Sequence, residues 1–168
     1  LHEYLTTRQA MPKRSWALSP ADFDEDGAPV SEKSYNEYGD YVLFRPNAAS
    51  DEPLYGLAVP YTPEFYLKEL YIAPFNREIA RFTDMGVTVL MTYSPRNRLA
   101  LSEDSTEEKI AALDKYFREN ITVPIISDIF SSLVPGRYLF GTDNHLSTEG
   151  VRLRTEEIIR DLRAALSE

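Results

Sequence analysis

A nearly continuous run of apolar and β-branched residues lies in the middle of the chain and restricts the folds that it can adopt. Residues 87–93 read Val-Thr-Val-Leu-Met-Thr-Tyr, and Ser94 followed by Pro95 ends the run. A strand of this kind is typical of a parallel sheet that is covered on both faces, because neither side of the strand needs to face water. A second apolar run at residues 123–129 predicts another strand, with its proline near the beginning.

Helical patterns precede and separate these two strands. Thr62, followed by a proline and a glutamate, predicts a helix start. Pro74 is expected to kink or break that helix, and Gly86 is expected to cap its C-terminus. Ser105 and Glu108 form a capping box for a second helix that runs to about residue 120. Its predicted buried stripe consists of Ile110, Leu113 and Phe117.

A long amphipathic pattern follows residue 147 and predicts a final helix capped by Ser147 or Thr148. Its apolar positions recur at helical spacing, so we expect them to form the buried face. These positions are Val151, Thr155, Ile158, Ile159, Leu162 and Leu166, whereas Arg152, Arg154, Glu156, Arg160 and Arg163 line the opposite face.

The order of elements is helix, strand, helix, strand, loop and helix, which predicts an α/β fold. Right-handed crossovers and a mostly parallel sheet then give a three-layer α/β/α sandwich. We assign residues 61–168 to this domain and residues 1–60, which lack sustained periodicity, to an irregular N-terminal arm or insertion. In such folds ligands bind beyond the carboxyl ends of the strands, where the loops after residues 93 and 129 emerge.

Composition excludes several classes of function. The 168 residues carry a formal net charge of −9, which argues against sequence-independent binding to nucleic acid. Cysteine is absent, so disulfides, thiolate metal sites and thiol nucleophiles are excluded. No apolar run approaches the roughly 18 residues of a membrane helix, and we expect neither a membrane segment nor a signal peptide in this chain.

The loop before the final helix carries His145, one of two histidines in the sequence, with Asp143 two residues earlier. A histidine on a short loop beside a carboxylate can accept a proton from a hydroxyl near neutral pH. The alternative is that His145 is a helix-entry residue and that Asp143 and Asn144 only turn the chain.

The residues Asp143, Asn144, His145, Leu146 and Gly150, together with the order of elements over residues 86–166, resemble the C-terminal half of an SGNH (GDSL-type) hydrolase. That family places its acid three residues before the histidine, where this chain has Thr142. Some relatives that transfer acetyl groups onto polysaccharides use Asp-x-His instead. The family's Gly-Asp-Ser motif does not occur in the sequence. Either that block lies upstream of Leu1, or the chain is a remnant without the full reaction.

The resemblance implies an esterase or O-acetyl transferase that works through a Ser-His-Asp mechanism. His145 is then the base, Asp143 orients it, and Asn144 is a candidate contact for the substrate. The implied substrate is a small-molecule or polysaccharide ester, such as an O-acetyl group on a carbohydrate or cell-envelope polymer. Neither a cofactor nor a metal is implied, and an extracellular or envelope location is favoured. The alternative is a non-catalytic domain that binds a glycan or a protein through its tyrosine-rich arm.

Three polar residues follow the first predicted strand, at the edge where a ligand is expected. Ser94 is a candidate nucleophile or substrate contact, and the alternative is a Ser-Pro turn. Arg96 and Asn97 are candidate substrate contacts, and the alternative is a solvated loop.

Residues 22–27, Asp-Phe-Asp-Glu-Asp-Gly, match the first half of a calcium loop. Lys33 stands where the bidentate glutamate should be, which favours an acidic turn. The many tyrosines suggest a carbohydrate-stacking surface, with half-buried packing as the alternative.

Overall fold

The structure is a computed structural model that describes residues 44–54 and 58–166. The chain divides into two units, Leu1–Phe44 and Arg45–Glu168. Residues 45–54, which the sequence assigns to the arm, lie in the second unit. His2, the calcium-like motif at residues 22–27 and the tyrosines at positions 35, 38, 41 and 55 fall outside the described residues.

The described part of the chain forms a mixed α/β fold with three α-helices and a small parallel sheet. The helices are α1 (Ala73–Thr83), α2 (Glu107–Asn120) and α3 (Thr148–Leu166), and one π-helical turn at Lys68–Ile72 leads into α1. Short 3-10 turns lie at Arg98–Ala100, Phe130–Ser132 and Gly136–Tyr138. Strands β1 (Arg96–Asn97) and β2 (Leu133–Val134) are parallel, with Arg96 opposite Leu133.

The two predicted strands, residues 87–93 and 123–129, are here called the first and second extended segments. They meet at a single parallel bridge, between Met91 and Ile125, and the second segment bends at Val123 and Ser127. Met91 donates to the Pro124 carbonyl and accepts from the Ile126 N–H, both at 2.9 Å. Two residues on, the Tyr93 N–H donates to the Ser127 hydroxyl at 2.9 Å instead of to a backbone carbonyl. A side chain therefore takes the place of the next ladder bond, and the predicted full-length strands were wrong although their parallel direction was right.

The predicted start of the first helix at Thr62 was also wrong. Residues 62–66 make two overlapping turns, and Leu67 then adopts a non-helical conformation (φ −57°, ψ 127°). The Tyr66 carbonyl accepts a hydrogen bond from the Tyr116 hydroxyl on α2 at 2.9 Å, so a tertiary contact satisfies it. The helical turns begin after Leu67, at Lys68.

The end of α1 confirms the predicted glycine cap. Gly86 has φ +80°, a left-handed conformation that glycine adopts without steric cost. Its N–H donates to the Thr83 carbonyl at 2.9 Å, and the Val87 N–H donates to the Phe82 carbonyl at 3.1 Å. This pair of bonds is a Schellman motif, which reverses the chain into the first extended segment.

Helix α2 packs at the centre of the core, and its predicted buried stripe is confirmed. Its N-cap is Thr106 rather than the predicted Ser105. The Ser105 hydroxyl accepts the Tyr61 N–H at 2.8 Å and contacts the Ser102 hydroxyl, so it is engaged elsewhere. The core cluster comprises Ile72, Tyr93, Ile110, Leu113, Phe117, Ile121, Val123, Ile125, Ile129 and Leu133.

Helix α3 begins at the predicted cap, because the Ser147 hydroxyl accepts the Gly150 N–H at 3.1 Å. Its buried face differs from the prediction. Gly150 and Arg154 are buried, whereas Val151, Ile159 and Leu166 are exposed. The Arg154 guanidinium donates to the Tyr93 carbonyl at 2.7 Å, and this bond fixes the rotation of the helix.

No helix of the described residues combines the length and the apolar character required to cross a bilayer.

Candidate functional site

The predicted catalytic residues lie on a closed loop, residues 139–147, between the 3-10 turn Gly136–Tyr138 and α3. An antiparallel bridge joins Leu139 to Leu146, and the Phe140 N–H donates to the His145 carbonyl at 2.8 Å. Gly141, at the tip, has φ +67°. The Thr142 hydroxyl accepts the backbone N–H of His145 at 2.9 Å. Backbone and side-chain bonds therefore both constrain the loop.

Asp143 is buried within this loop, with 4% of its surface exposed. Its Oδ1 accepts the Leu54 N–H at 2.9 Å and the Asn97 side-chain amide at 3.1 Å. Its carbonyl accepts the Asn97 N–H at 2.8 Å. A carboxylate removed from water is stable where N–H donors compensate for the lost hydration, and these donors fix its position.

Asn97 connects this loop to two other segments. It is the last residue of β1 and is fully buried. Its side-chain amide lies 3.2 Å from the Asp51 carbonyl and 3.1 Å from Asp143 Oδ1, and its Oδ1 accepts the Leu99 N–H at 3.0 Å. The structure therefore places this predicted substrate contact inside the protein, where its polar atoms bind protein groups.

His145 is exposed, two residues beyond the buried Asp143. Within residues 44–54 and 58–166, its imidazole makes no hydrogen bond, and none joins it to the Asp143 carboxylate. Asn144 between them is exposed, and its backbone N–H lies 3.4 Å from the Thr142 hydroxyl. The loop thus presents the imidazole to solvent and holds the carboxylate inside.

The remaining candidates lie at the start of β1. Ser94 is exposed directly after the first extended segment, and Arg96 is half-buried in β1. Burial raises the pKa of Tyr61 to about 12, and the positive charge of Arg96 opposes part of that rise. The charge of Arg96 therefore acts on Tyr61, which is partly buried against the core cluster. The structure brings Asn97 to Asp143 and leaves Ser94 on the surface.

The sequence did not predict the bonds between Asp51 and Arg137, here called the clamp, that hold residues 45–54 beside the loop. The backbone N–H and Nε of Arg137 donate to Asp51 Oδ1 at 2.9 and 3.0 Å, and its Nη2 pairs with Oδ2. These bonds lower the pKa of Asp51 below its usual value. Gly136 completes the clamp, since a Cβ there would lie 2.5 Å from the Asp51 carbonyl oxygen. No local pattern could indicate it, because the partners are 86 residues apart.

In the described residues, no group of three or more histidine, aspartate or glutamate side chains could hold a metal ion.

Comparisons of the chain with models of protein families, with curated proteins and with solved structures give no match. The chemistry of the loop residues is therefore the basis for assigning a function.

Proposed function

We propose that the loop of residues 139–147 carries the base and the orienting acid of an acyl-transfer site. His145 is the general base, and Asp143 orients its imidazole and stabilises the imidazolium. The reaction is the hydrolysis or transfer of an ester, such as an O-acetyl group on a carbohydrate or cell-envelope polymer, as the SGNH resemblance implies. The proposal includes the three-layer α/β/α sandwich of that family.

One observation carries the proposal: a buried, hydrogen-bonded carboxylate lies two residues before an exposed imidazole on a braced loop. A solvated Asp-x-His turn would leave both side chains in water. Here two N–H donors hold the carboxylate, two residues before an imidazole that is exposed to a substrate. In the proposed mechanism, a carboxylate held in this way orients the imidazole when the substrate complex forms.

Parallel pairing supports the sandwich. β1 pairs with β2, Met91 with Ile125 and Val59 with Leu101, all in parallel. The Asp143 carbonyl is hydrogen-bonded to Asn97, the last residue of β1. The candidate site therefore lies at the carboxyl end of a parallel strand, the edge at which ligands bind in α/β sheets.

The reaction requires a hydroxyl nucleophile and donors for the oxyanion. Because the sequence contains no Gly-Asp-Ser, we propose that another polypeptide segment supplies the serine and these donors. His145 then removes the serine proton as the oxygen attacks the acyl carbon, and returns it to the leaving alcohol. The Asp143–His145 bond forms in the substrate complex, since catalytic hydrogen bonds often tighten only there.

Hydrolysis of p-nitrophenyl acetate by the complete protein tests this proposal. His145→Ala should lower the rate about 100-fold, the lower end of the range for general-base catalysis. His2→Ala is the matched control, because it removes the other histidine of the chain. The control should retain the full rate. Equal rates for the protein and His145→Ala would overturn the assignment.

A further inference from the structure

A cleft of about 350 Å³ lies beside the candidate loop, between α3, β2 and the 3-10 turn Phe130–Ser132. Tyr138 and Gly150, which flank the loop on its two sides, line one wall of the cleft. Arg98, in the 3-10 turn that follows β1, also lines the cleft. Arg160 lines it from α3. His145 is not among its lining residues, so the cleft is distinct from the candidate catalytic pair.

The acidic residues of this cleft already have cationic partners. Glu156 pairs with Arg152 at 2.7 Å, and Glu157 pairs with the buried Arg154 at 3.0 Å. Their negative charges are therefore largely compensated within α3. The electrostatic balance of the cleft then depends on Arg98 and Arg160.

Arg98 and Arg160 have much weaker contacts. The Arg98 guanidinium lies 3.4 Å from the Leu133 carbonyl, and the Arg160 guanidinium forms a long ion pair with Asp161 Oδ1, at 3.4 Å. Both distances exceed the usual 2.7–3.2 Å of N–H···O hydrogen bonds. Each guanidinium carries five N–H donors, so both retain most of their donors for a ligand.

An apolar wall accompanies the two arginines. Phe130 is 37% exposed and Leu153 is half-buried, and both line the cleft. Binding sites for small molecules combine such apolar walls with a few fixed polar groups. A ligand with a carbon skeleton as well as a charged group fits this lining better than a bare ion.

We propose that this cleft binds a small organic anion whose oxyanion group is held by Arg98 and Arg160 and whose carbon skeleton packs against Phe130. The planar guanidinium fork matches both carboxylate and phosphate oxygens, so the shared chemistry is an oxyanion. The formal charge of −9 makes the surface as a whole unfavourable for anions. Binding therefore depends on these two side chains rather than on the general field.

A neighbouring cleft of about 420 Å³ shares Arg98, Phe130 and Leu133 with the first. Glu103 and Glu107 line that cleft, and their charges disfavour an anion there. The anionic group is thus placed on the α3 side of Arg98.

Three sugars on one scaffold test the proposal: glucuronate, glucose 6-phosphate and glucose, each titrated into the complete protein by calorimetry. At least one anionic sugar should bind, with a dissociation constant of about 1 mM, and glucose should not. Comparison of the two anions identifies the preferred oxyanion. Arg98→Gln and Arg160→Gln should each weaken binding about tenfold, since each removes a charge-assisted hydrogen bond.

Arg81→Gln is the matched control, because Arg81 is an exposed arginine on α1 that carries the same charge, and neither it nor its partner Glu78 lines the cleft. It should leave the affinity unchanged. Arg98→Lys should lose part of the affinity because it keeps the charge but not the fork. The proposal is overturned if neither anion binds, if glucose binds equally well, or if Arg81→Gln weakens binding as much as Arg98→Gln. Unchanged thermal unfolding of the variants separates lost binding from lost folding.

Discussion

All three polar groups of Tyr93 are hydrogen-bonded, each to a different part of the protein. Its N–H donates to Ser127 of the second extended segment, and its hydroxyl donates to Asp114 of α2 at 2.7 Å. Its carbonyl accepts from Arg154 of α3 at 2.7 Å. Asp114 in turn pairs with Arg118 at 2.8 Å. A single buried residue therefore connects two helices and both extended segments.

Removal of the Tyr93 hydroxyl tests this connection. Tyr93→Phe should lower the free energy of unfolding by about 1–2 kcal/mol at pH 8, because the buried side of Asp114 loses a donor. Urea unfolding followed by circular dichroism measures the change. An unchanged midpoint would contradict the assigned role of the hydroxyl.

The same variant tests a pH dependence. Burial, followed by the hydrogen bond and the charge of Asp114, raises the pKa of Tyr93 above its ordinary value of 10. A raised pKa means that folding favours the neutral phenol, so this contribution to stability is complete below pH 10. It is lost above pH 10, by at most about 1.4 kcal/mol per pH unit for each such group. As the pH rises from 8 to 11, the free energy of unfolding should therefore fall less in Tyr93→Phe than in the unchanged protein. Equal losses would contradict the prediction.

At the scale of elements, hydrophobic periodicity predicted α2 and its buried stripe but not the rotation of α3. An apolar pattern places its apolar side inward only where no stronger contact intervenes. In α3, Gly150 approaches the Tyr138 carbonyl so closely that a Cβ would lie 2.3 Å from its oxygen. One turn later, Arg154 reaches the Tyr93 carbonyl. These two contacts between distant residues set the helix face, and no local pattern encodes them.

Two arginines of α3 provide a matched test of that rotation. Arg154 is 5% exposed, and its removal leaves the Tyr93 carbonyl without its donor and Glu157 without its partner. Arg154→Ala should cost about 2–4 kcal/mol of unfolding free energy. Arg152→Ala breaks an exposed pair on the opposite side and should cost less than about 1 kcal/mol. Equal losses of unfolding free energy in the two variants, measured by chemical unfolding, would contradict the observed burial of Arg154.

At the scale of the whole molecule, the sequence predicted a mixed α/β fold, the parallel direction of its pairs, the Gly86 cap and the Ser147 cap. Each of these depends on neighbouring residues or on a strong apolar pattern. The predicted extent of the strands was wrong, because a serine side chain replaces a ladder bond at Tyr93.

The sequence predicted the candidate site as residues of two loops, without the contacts that hold them. Their place on the loop before the final helix indicated Asp143 and His145, but the groups that hold Asp143 are Leu54 and Asn97, 89 and 46 residues away. Asn97 was predicted as a substrate contact and not as a partner of Asp143. The clamp between Asp51 and Arg137 spans a similar separation. Contacts of this kind arise from the folded chain as a whole, so a single sequence gives no signal for them.

The most direct test of the catalytic pair is a double-mutant cycle on p-nitrophenyl acetate hydrolysis by the complete protein. If Asp143 acts through His145, Asp143→Asn and His145→Ala should each slow the reaction, and the double variant should be no slower than His145→Ala alone. Losses that multiply, or an unchanged rate in His145→Ala, would contradict the proposed pair.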